Sequence, residues 1–417
     1  MTEIKTLSNG ATLLLEHLDH VHSVAVGITL GVGSRHENAA HCGISHCLEH
    51  MVFKGTPNYT TAQLAAIMDE LGGQFNAFTT KEATTYYAKM LGSHLDRGLN
   101  ILLDMTFNAL LKEEDLVPER AVIIEEIGMY EDSPEDLVGE RLFEAIYPNQ
   151  ALGRPILGTN ETLHNMTADD LRQFRDKYYR SPQLVVSVAG SFTQAHVDTI
   201  TKALEALPVG QAVAAEAVNY MPAFITTQKP LEQNHLCLTL PGLRAGDEQR
   251  FIKNLMVSIL GGGTSSRLYQ TLREEHGLCY NVYANSVSFK DAGLIDVITA
   301  CNKDTEQKAL MLACDILTDL ADKGPKQDEL DRHREQLKAN VLMGLESTSA
   351  RMSYAARSYM TDNRVLTPDE IIAGYDAVTT AQVCDLMRDC LHSPSFSAVG
   401  KTADADEYRE LIEKSLA

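Results

Sequence analysis

Two histidines and a glutamate carry the first chemical signal of this chain, in the run His46-Cys47-Leu48-Glu49-His50. Residues four apart on a helix share a face, so His46 and His50 can offer their imidazoles to one metal ion. Glu49 sits one residue before His50, with its carboxylate near the open side of that ion. Two neutral His nitrogens plus an oxygen donor, with one position left for water, form the donor set of a catalytic zinc. A free carboxylate beside that water is a general base for hydrolysis. Taken alone, the pentapeptide also fits two surface histidines on an amphipathic helix. The assignment therefore needs a third donor and groups that orient the first two.

The segment from Pro118 to Tyr130 reads as a helix that can supply the third donor. Asp115 precedes it as a cap and Pro118 suits its first turn. Val122, Ile123, Ile127 and Tyr130 are expected to form its apolar stripe. Glu119 and Glu126 are two turns apart and share a face, whereas Glu125 points elsewhere. By itself a Glu-rich helix also fits a solvated face.

The elements around these helices repeat. Glu70–Phe78 aligns with Glu275–Tyr283 at an offset of 205, with Glu, Gly and Asn matching identically, and Met51-Val52 meets Met256-Val257 at the same offset. An alternating strand opens each half, through Val24, Val26, Ile28, Leu30 and Val32 in the first and Leu236, Leu238 and Leu240 in the second. Long amphipathic helices follow, such as 305–323 and 327–345. The expected fold is α+β, with two similar domains related by internal duplication, each a mainly antiparallel sheet with helices packed on it. The expected division is 1–212 for the domain with the metal motif, 213–227 for a linker, and 228–417 for a second domain of the same fold. The join falls near Leu207–Thr227, where Pro208, Gly210, Pro222 and an Ala-rich run break the periodicity. In the second copy the motif helix aligns with Phe251–Leu255, which carries no ligands.

Three segments together resemble one family: HCLEHMVFKGT, which opens at His46, PERAVIIEEIGMYED downstream, and LREEHGLCYNVY in the second half. They are similar to the pitrilysin/insulinase family of inverted zinc peptidases, whose H-x-x-E-H order reverses the commoner H-E-x-x-H. The nearest branch is that of mitochondrial processing peptidase and its bacterial relatives. The resemblance spans essentially the whole chain. It implies one zinc ion per chain, held by His46, His50 and Glu126, since the family's third ligand lies 76 residues after its second His. Glu119, seven before that ligand, is implied as the supporting glutamate and Glu49 as the base. Arg273 and Tyr280 match an Arg and a Tyr that the family's second domain uses to hold substrate and oxyanion. Gly261-Gly262-Gly263 resembles its glycine-rich substrate loop.

For substrate, the resemblance implies that the strand Asn76-Ala77-Phe78 pairs with an extended peptide at a sheet edge. Phe53 is expected to line the pocket after the scissile bond. Asp136 and Glu140 lie ten and fourteen residues after Glu126, where processing peptidases receive a substrate Arg. The expected activity is cleavage of unfolded peptides or leader-like segments in an enclosed chamber, by a homodimer whose active site is shared between chains. Two alternatives remain: a broad oligopeptidase, and a non-catalytic structural core subunit. Members of the latter kind have lost zinc residues, and this set is intact.

Composition is consistent with these expectations. At 417 residues the chain holds two or three domains, each with its own core. A formal net charge of −21 argues against nucleic-acid and anionic-membrane partners, and fits either simple solubility or an acidic chamber for basic peptides. The N-terminus shows no basic start followed by an apolar run, and no stretch approaches the roughly 18–20 apolar residues needed to span a bilayer. The eight cysteines form no C-x-x-C pair, which points to free thiols in a reducing, cytoplasmic setting. Cys42 and Cys47 flank His46, but a carboxylate is the better third ligand.

Overall fold

The structure, a computed structural model, describes residues 2–211 and 213–416. Its strands are β1 (Glu3–Thr6), β2 (Thr12–His17), β3 (Ser23–Leu30), β4 (Gln74–Thr79), β5 (Thr84–Leu91), β6 (Leu184–Gly190), β7 (Phe224–Gln228), β8 (Asn234–Pro241), β9 (Cys279–Ser288), β10 (Gly293–Cys301) and β11 (Ser395–Gly400). They make a six-stranded sheet, ordered β1-β2-β6-β3-β5-β4, and a five-stranded sheet, ordered β7-β11-β8-β10-β9. In each, one pair is parallel, β2 with β6 and β7 with β11, and the remaining neighbours are antiparallel. The same order with the same parallel pair is the structural form of the repeat at offset 205. The fold is α+β, as expected.

The chain divides into two units that are not contiguous stretches. The first holds Met1–Ile127, Arg154–Glu216 and Met343–Leu366, and the second holds Gly128–Gly153, Ala217–Leu342 and Thr367–Ala417. One crossing, Glu216 to Ala217, falls within the expected linker. The other crossings exchange a helical segment each way. Helix Thr348–Asp362, from the second half, covers one face of the first unit's sheet, with Met352 against Ala25 and Ala189 and with Ala355 and Ala356 against Leu14 and Val185. A Cβ on Gly27 would lie 2.3 Å from Met352 Sδ, so a larger residue there would have to displace that side chain. Helix Pro134–Ile146, from the first half, buries Leu137, Val138, Leu142 and Ile146 with Cys237, Leu294 and Val399 of the second unit.

Because of this exchange β3 is buried on both faces, although its alternation is the pattern of a half-buried strand. Ala25 and Thr29 are buried along with Val24, Val26, Ile28 and Leu30. The Val/Ile/Leu face packs on helix Ile44–Val52 through Ile44, Cys47, Leu48 and Met51, and the other face lies under Thr348–Asp362. Among the described residues no helix is long and apolar enough to cross a membrane.

A correction concerns the acidic helix, which runs Glu113–Glu131 and so begins before Pro118. Glu113, Glu114 and Asp115 occupy its first turn, where carboxylates suit the positive end of the helix dipole. Leu116, fully buried, anchors that turn to the core, and this outweighs the backbone bond that Pro118 cannot donate. The buried face is Leu116, Glu119 and Ile123, with Ile127 packed partly against the core. Val122 and Tyr130, expected in the apolar stripe, are exposed instead.

Candidate metal centre

Helix Ile44–Val52 is set by its N-terminus. Gly43 caps it with φ +93°, and a Cβ there would come within 2.7 Å of Leu157 O. The buried Glu37 carboxylate accepts the N–H of Gly43 at 2.7 Å and of Ser45 at 2.8 Å. It thus satisfies donors that a helix start leaves open and places negative charge at the positive end of the dipole. Burial pushes the Glu37 carboxyl up to about 7, against the pull of those two backbone bonds. Ile44, Cys47, Leu48 and Met51 then face the core, which turns His46, Glu49 and His50 toward the acidic helix.

There the donors converge. His46 Nε2 and His50 Nε2 each lie 3.7 Å from Glu126 Oε2, and the three donor atoms are all within 4.8 Å of one another. A tetrahedral ion with bonds of about 2.0–2.2 Å holds its donors about 3.4 Å apart, so this spacing fits one. Burial, then the neighbouring His50, lowers His46 to about 4, leaving the neutral imidazole that a metal requires. Among the described residues this is the one group of three His, Cys, Asp or Glu side chains placed to hold an ion. Cys47 is no rival, because its thiol is buried and pushed up to about 12.

Glu119 supports the centre. Its Oε1 lies 2.8 Å from His50 Nδ1, and its Oε2 pairs with Lys54. Burial alone would raise its carboxyl, but the bonds from Lys54 and His50 hold it below the ordinary carboxylate range. An anionic Glu119 accepts the Nδ1–H of His50 and so turns the Nε2 lone pair toward Glu126. Glu49, 9% exposed, accepts a bond from Thr79 Oγ1 at 2.5 Å. Burial raises its carboxyl, with Thr79 and His50 opposing and Glu126 adding to the rise.

Strand β4, which carries Asn76, Ala77 and Phe78, is an edge of the first sheet. Thr80 donates its N–H to Ala83 O, a bonded pair, so alternation along the ladder turns the backbone groups of Ala77 and Thr79 to the free edge. Ala77 there gives its N–H to Asn76 Oδ1 at 2.8 Å. Phe53 caps the C-terminal end of the motif helix and is half-buried against the core.

The remaining expected site residues belong to the second unit. Arg273 lies in the helical stretch Tyr269–Glu275, with its guanidinium 4.7 Å from the Tyr269 ring and 5.0 Å from the Tyr280 ring. Tyr280, near the start of the edge strand β9, is 79% exposed. Asp136 accepts a bond from Ser133 Oγ at 2.6 Å at the start of helix Pro134–Ile146, and Glu140 follows one turn later.

Sequence reasoning missed Glu37, Lys54 and Thr79. Lys54 stands four residues after His50, a spacing that could have been read as a continuation of the same face. Nothing local marks Glu37 or Thr79.

The chain is similar to known proteins along nearly its whole length. Residues 12–160 match the model of insulinase (peptidase family M16), and residues 165–337 match that of the peptidase M16 inactive domain. The metal donors all fall in the first match, and Arg273 and Tyr280 in the second. A Bacillus subtilis protein named uncharacterized zinc protease YmxG is 39% identical over 92% of this chain and 94% of its own. One of the same description from Streptomyces coelicolor is 35% identical over 97% of this chain and 90% of its own. Among solved structures, a peptidase M16 inactive domain from Pseudomonas fluorescens superposes with a TM-score of 0.90 at 19% identity, covering 96% of this chain and 98% of that one. A protease from Helicobacter pylori gives 0.87 at 22% identity, covering 96% and 99%. Those two show the fold, while the sequence relatives decide the lineage: the chain belongs to the peptidase M16, or insulinase, family.

Proposed function

We propose that this chain is a zinc-dependent endopeptidase acting on unfolded peptides or leader-like segments. One observation carries the reading: three donors within 4.8 Å of one another, with Glu49 on the same helix as two of them. The names of the Bacillus and Streptomyces relatives support zinc as the ion. Held by His46, His50 and Glu126, zinc supplies Lewis acidity for activating a water and a scissile carbonyl. Glu49 takes the proton of the attacking water and passes it to the leaving amine. Glu119, fixed by Lys54, keeps His50 in the tautomer that leaves Nε2 free to ligate. An extended peptide adds to β4 through the edge-facing groups of Ala77 and Thr79, after displacing the Asn76 side chain, and Phe53 and Phe78 contact its side chains. Asp136 and Glu140 favour Arg or Lys before the cleaved bond.

We further propose a homodimer in which Arg273 and Tyr280 of one chain serve the zinc of the other, Tyr280 as oxyanion donor. The exposure of Tyr280 and the family resemblance support this arrangement.

Cleavage of an unstructured peptide library tests the hydrolase reading. Internal cuts that stop on chelation and return with zinc are expected, and no cleavage by fully loaded protein overturns it. A basic preference that Asp136→Asn with Glu140→Gln erases supports the processing reading, whereas cuts without preference indicate a broad oligopeptidase. Mixing inactive Glu49→Gln with inactive Tyr280→Phe tests the shared site. Activity returns if the sites are shared, and verified subunit exchange without activity refutes it.

A further inference from the structure

Glu49 is bound by a residue outside both metal-bearing helices. Thr79 ends β4, and its side chain donates to Glu49 Oε2 at 2.5 Å while its backbone faces the free edge of the sheet. A carboxylate on a helix retains rotamer freedom at its outer torsions, and a base must aim one oxygen at the reacting water. The Thr79 hydroxyl removes that freedom by holding Oε2, which leaves Oε1 to the water. Thr79 is itself held in place, since β4 pairs with β5 through Thr79 opposite Thr84, and Thr84 Oγ1 donates to Val32 O at 3.0 Å.

The second unit offers an internal comparison. At the offset of 205, Ala284 stands for Thr79 and Asn254 for Glu49. Asn254 turns its amide to Tyr375 instead, at 3.1 Å. Where the base is absent, the hydroxyl that would aim it is absent as well.

We infer that Thr79 is a positioning residue for the general base, fixing the Glu49 carboxylate from the same strand that receives the peptide. The inference rests on the peptidase reading above. Its test compares Thr79→Val, which keeps the shape and removes the hydroxyl, with Thr79→Ser, which keeps the hydroxyl, in zinc-loaded protein. Thr79→Val is expected to lower kcat roughly 10–100-fold, the scale of one hydrogen bond to a charged group, with KM and metal content near the parent values. Thr79→Ser should recover to within about threefold of the parent. In a Glu49→Gln background Thr79→Val should cost nothing further, because its effect runs through Glu49. A kcat for Thr79→Val within twofold of the parent overturns the inference while a dead Glu49→Gln leaves the peptidase reading standing. So does a loss that Thr79→Ser fails to restore, or an undiminished further loss in the double variant. Full activity in Glu49→Gln overturns the base assignment itself and the inference with it.

Discussion

The two units place the same helices against the same strand order and use them differently. In the first, the helix beside the sheet carries His46, Glu49 and His50. In the second, helix Arg250–Gly261 carries Phe251, Asn254 and Leu255 at the matching offset. The helix packed alongside repeats the pattern too. Glu113–Glu131 buries Leu116 and Glu119, and Gln327–Gly344 buries Leu330 and His333, again three residues apart. Glu119 reaches His50, whereas His333 Nδ1 lies 2.9 Å from Ser258 Oγ. Burial lowers the pKa of His333, so it stays neutral. A buried polar contact between the two helices is therefore compatible with the fold with or without an ion. The metal centre is a substitution of side chains on a shared frame.

The largest expected difference between the units is in catalysis. Glu49→Gln should lower kcat by about 10²–10⁴-fold with zinc retained, while Asn254→Ala at the matching place leaves it within a few-fold. Steady-state kinetics with parallel metal analysis decides this, and equal losses would erase the contrast.

Metal affinity comes next. Glu119→Gln should weaken zinc binding about 10–100-fold, Glu126→Gln more than that, and Glu125→Gln not measurably. Zinc remaining after dialysis measures all three. Similar retention in the Glu125 and Glu126 variants would refute the ligand assignment.

Chelation should separate the units by local stability. At zinc about 100-fold above its Kd, binding stabilises the state that holds it by about 2.7 kcal/mol. Amide exchange in Ile44–Val52 should therefore accelerate when zinc is removed, and exchange in Arg250–Gly261 should not. Equal acceleration in both helices would show that zinc does not act on the first unit alone.

The smallest effect concerns pH. In each unit burial raises a carboxyl that lies outside the metal centre. Glu37 is raised to about 7, and Asp296, which accepts a bond from Thr239 Oγ1 at 2.6 Å, is raised to about 6 by burial. A raised carboxyl binds its proton more tightly folded than unfolded, so its contribution is complete below the unfolded pKa and is lost as pH rises through the folded one. Glu37→Gln should flatten the fall in Tm between about pH 4.5 and 7, and Asp296→Asn that between about pH 4 and 6. Each change should amount to a few degrees. An unchanged pH slope in either variant would show that the carboxyl does not titrate in that window.

Features that depend on short-range periodicity are legible in the residue order alone. Helical spacing put His46 and His50 on one face and set Glu119 and Glu126 apart from Glu125. Strand alternation located β3 and β8, and matching segments marked the repeat at offset 205, which the matching sheet orders express in space. What tertiary structure decided is every contact whose partners are far apart in the chain. The start of the acidic helix at Glu113 followed from burial of Leu116, against the local signal of Pro118. The second buried face of β3 depended on Met352, more than 300 residues downstream, because a sheet with two apolar faces must find a cover and chain order does not say which segment provides it. Glu37 and Thr79 carry no signal of their own, since a carboxylate and a hydroxyl are ordinary surface groups until packing brings them to Ser45 and Glu49.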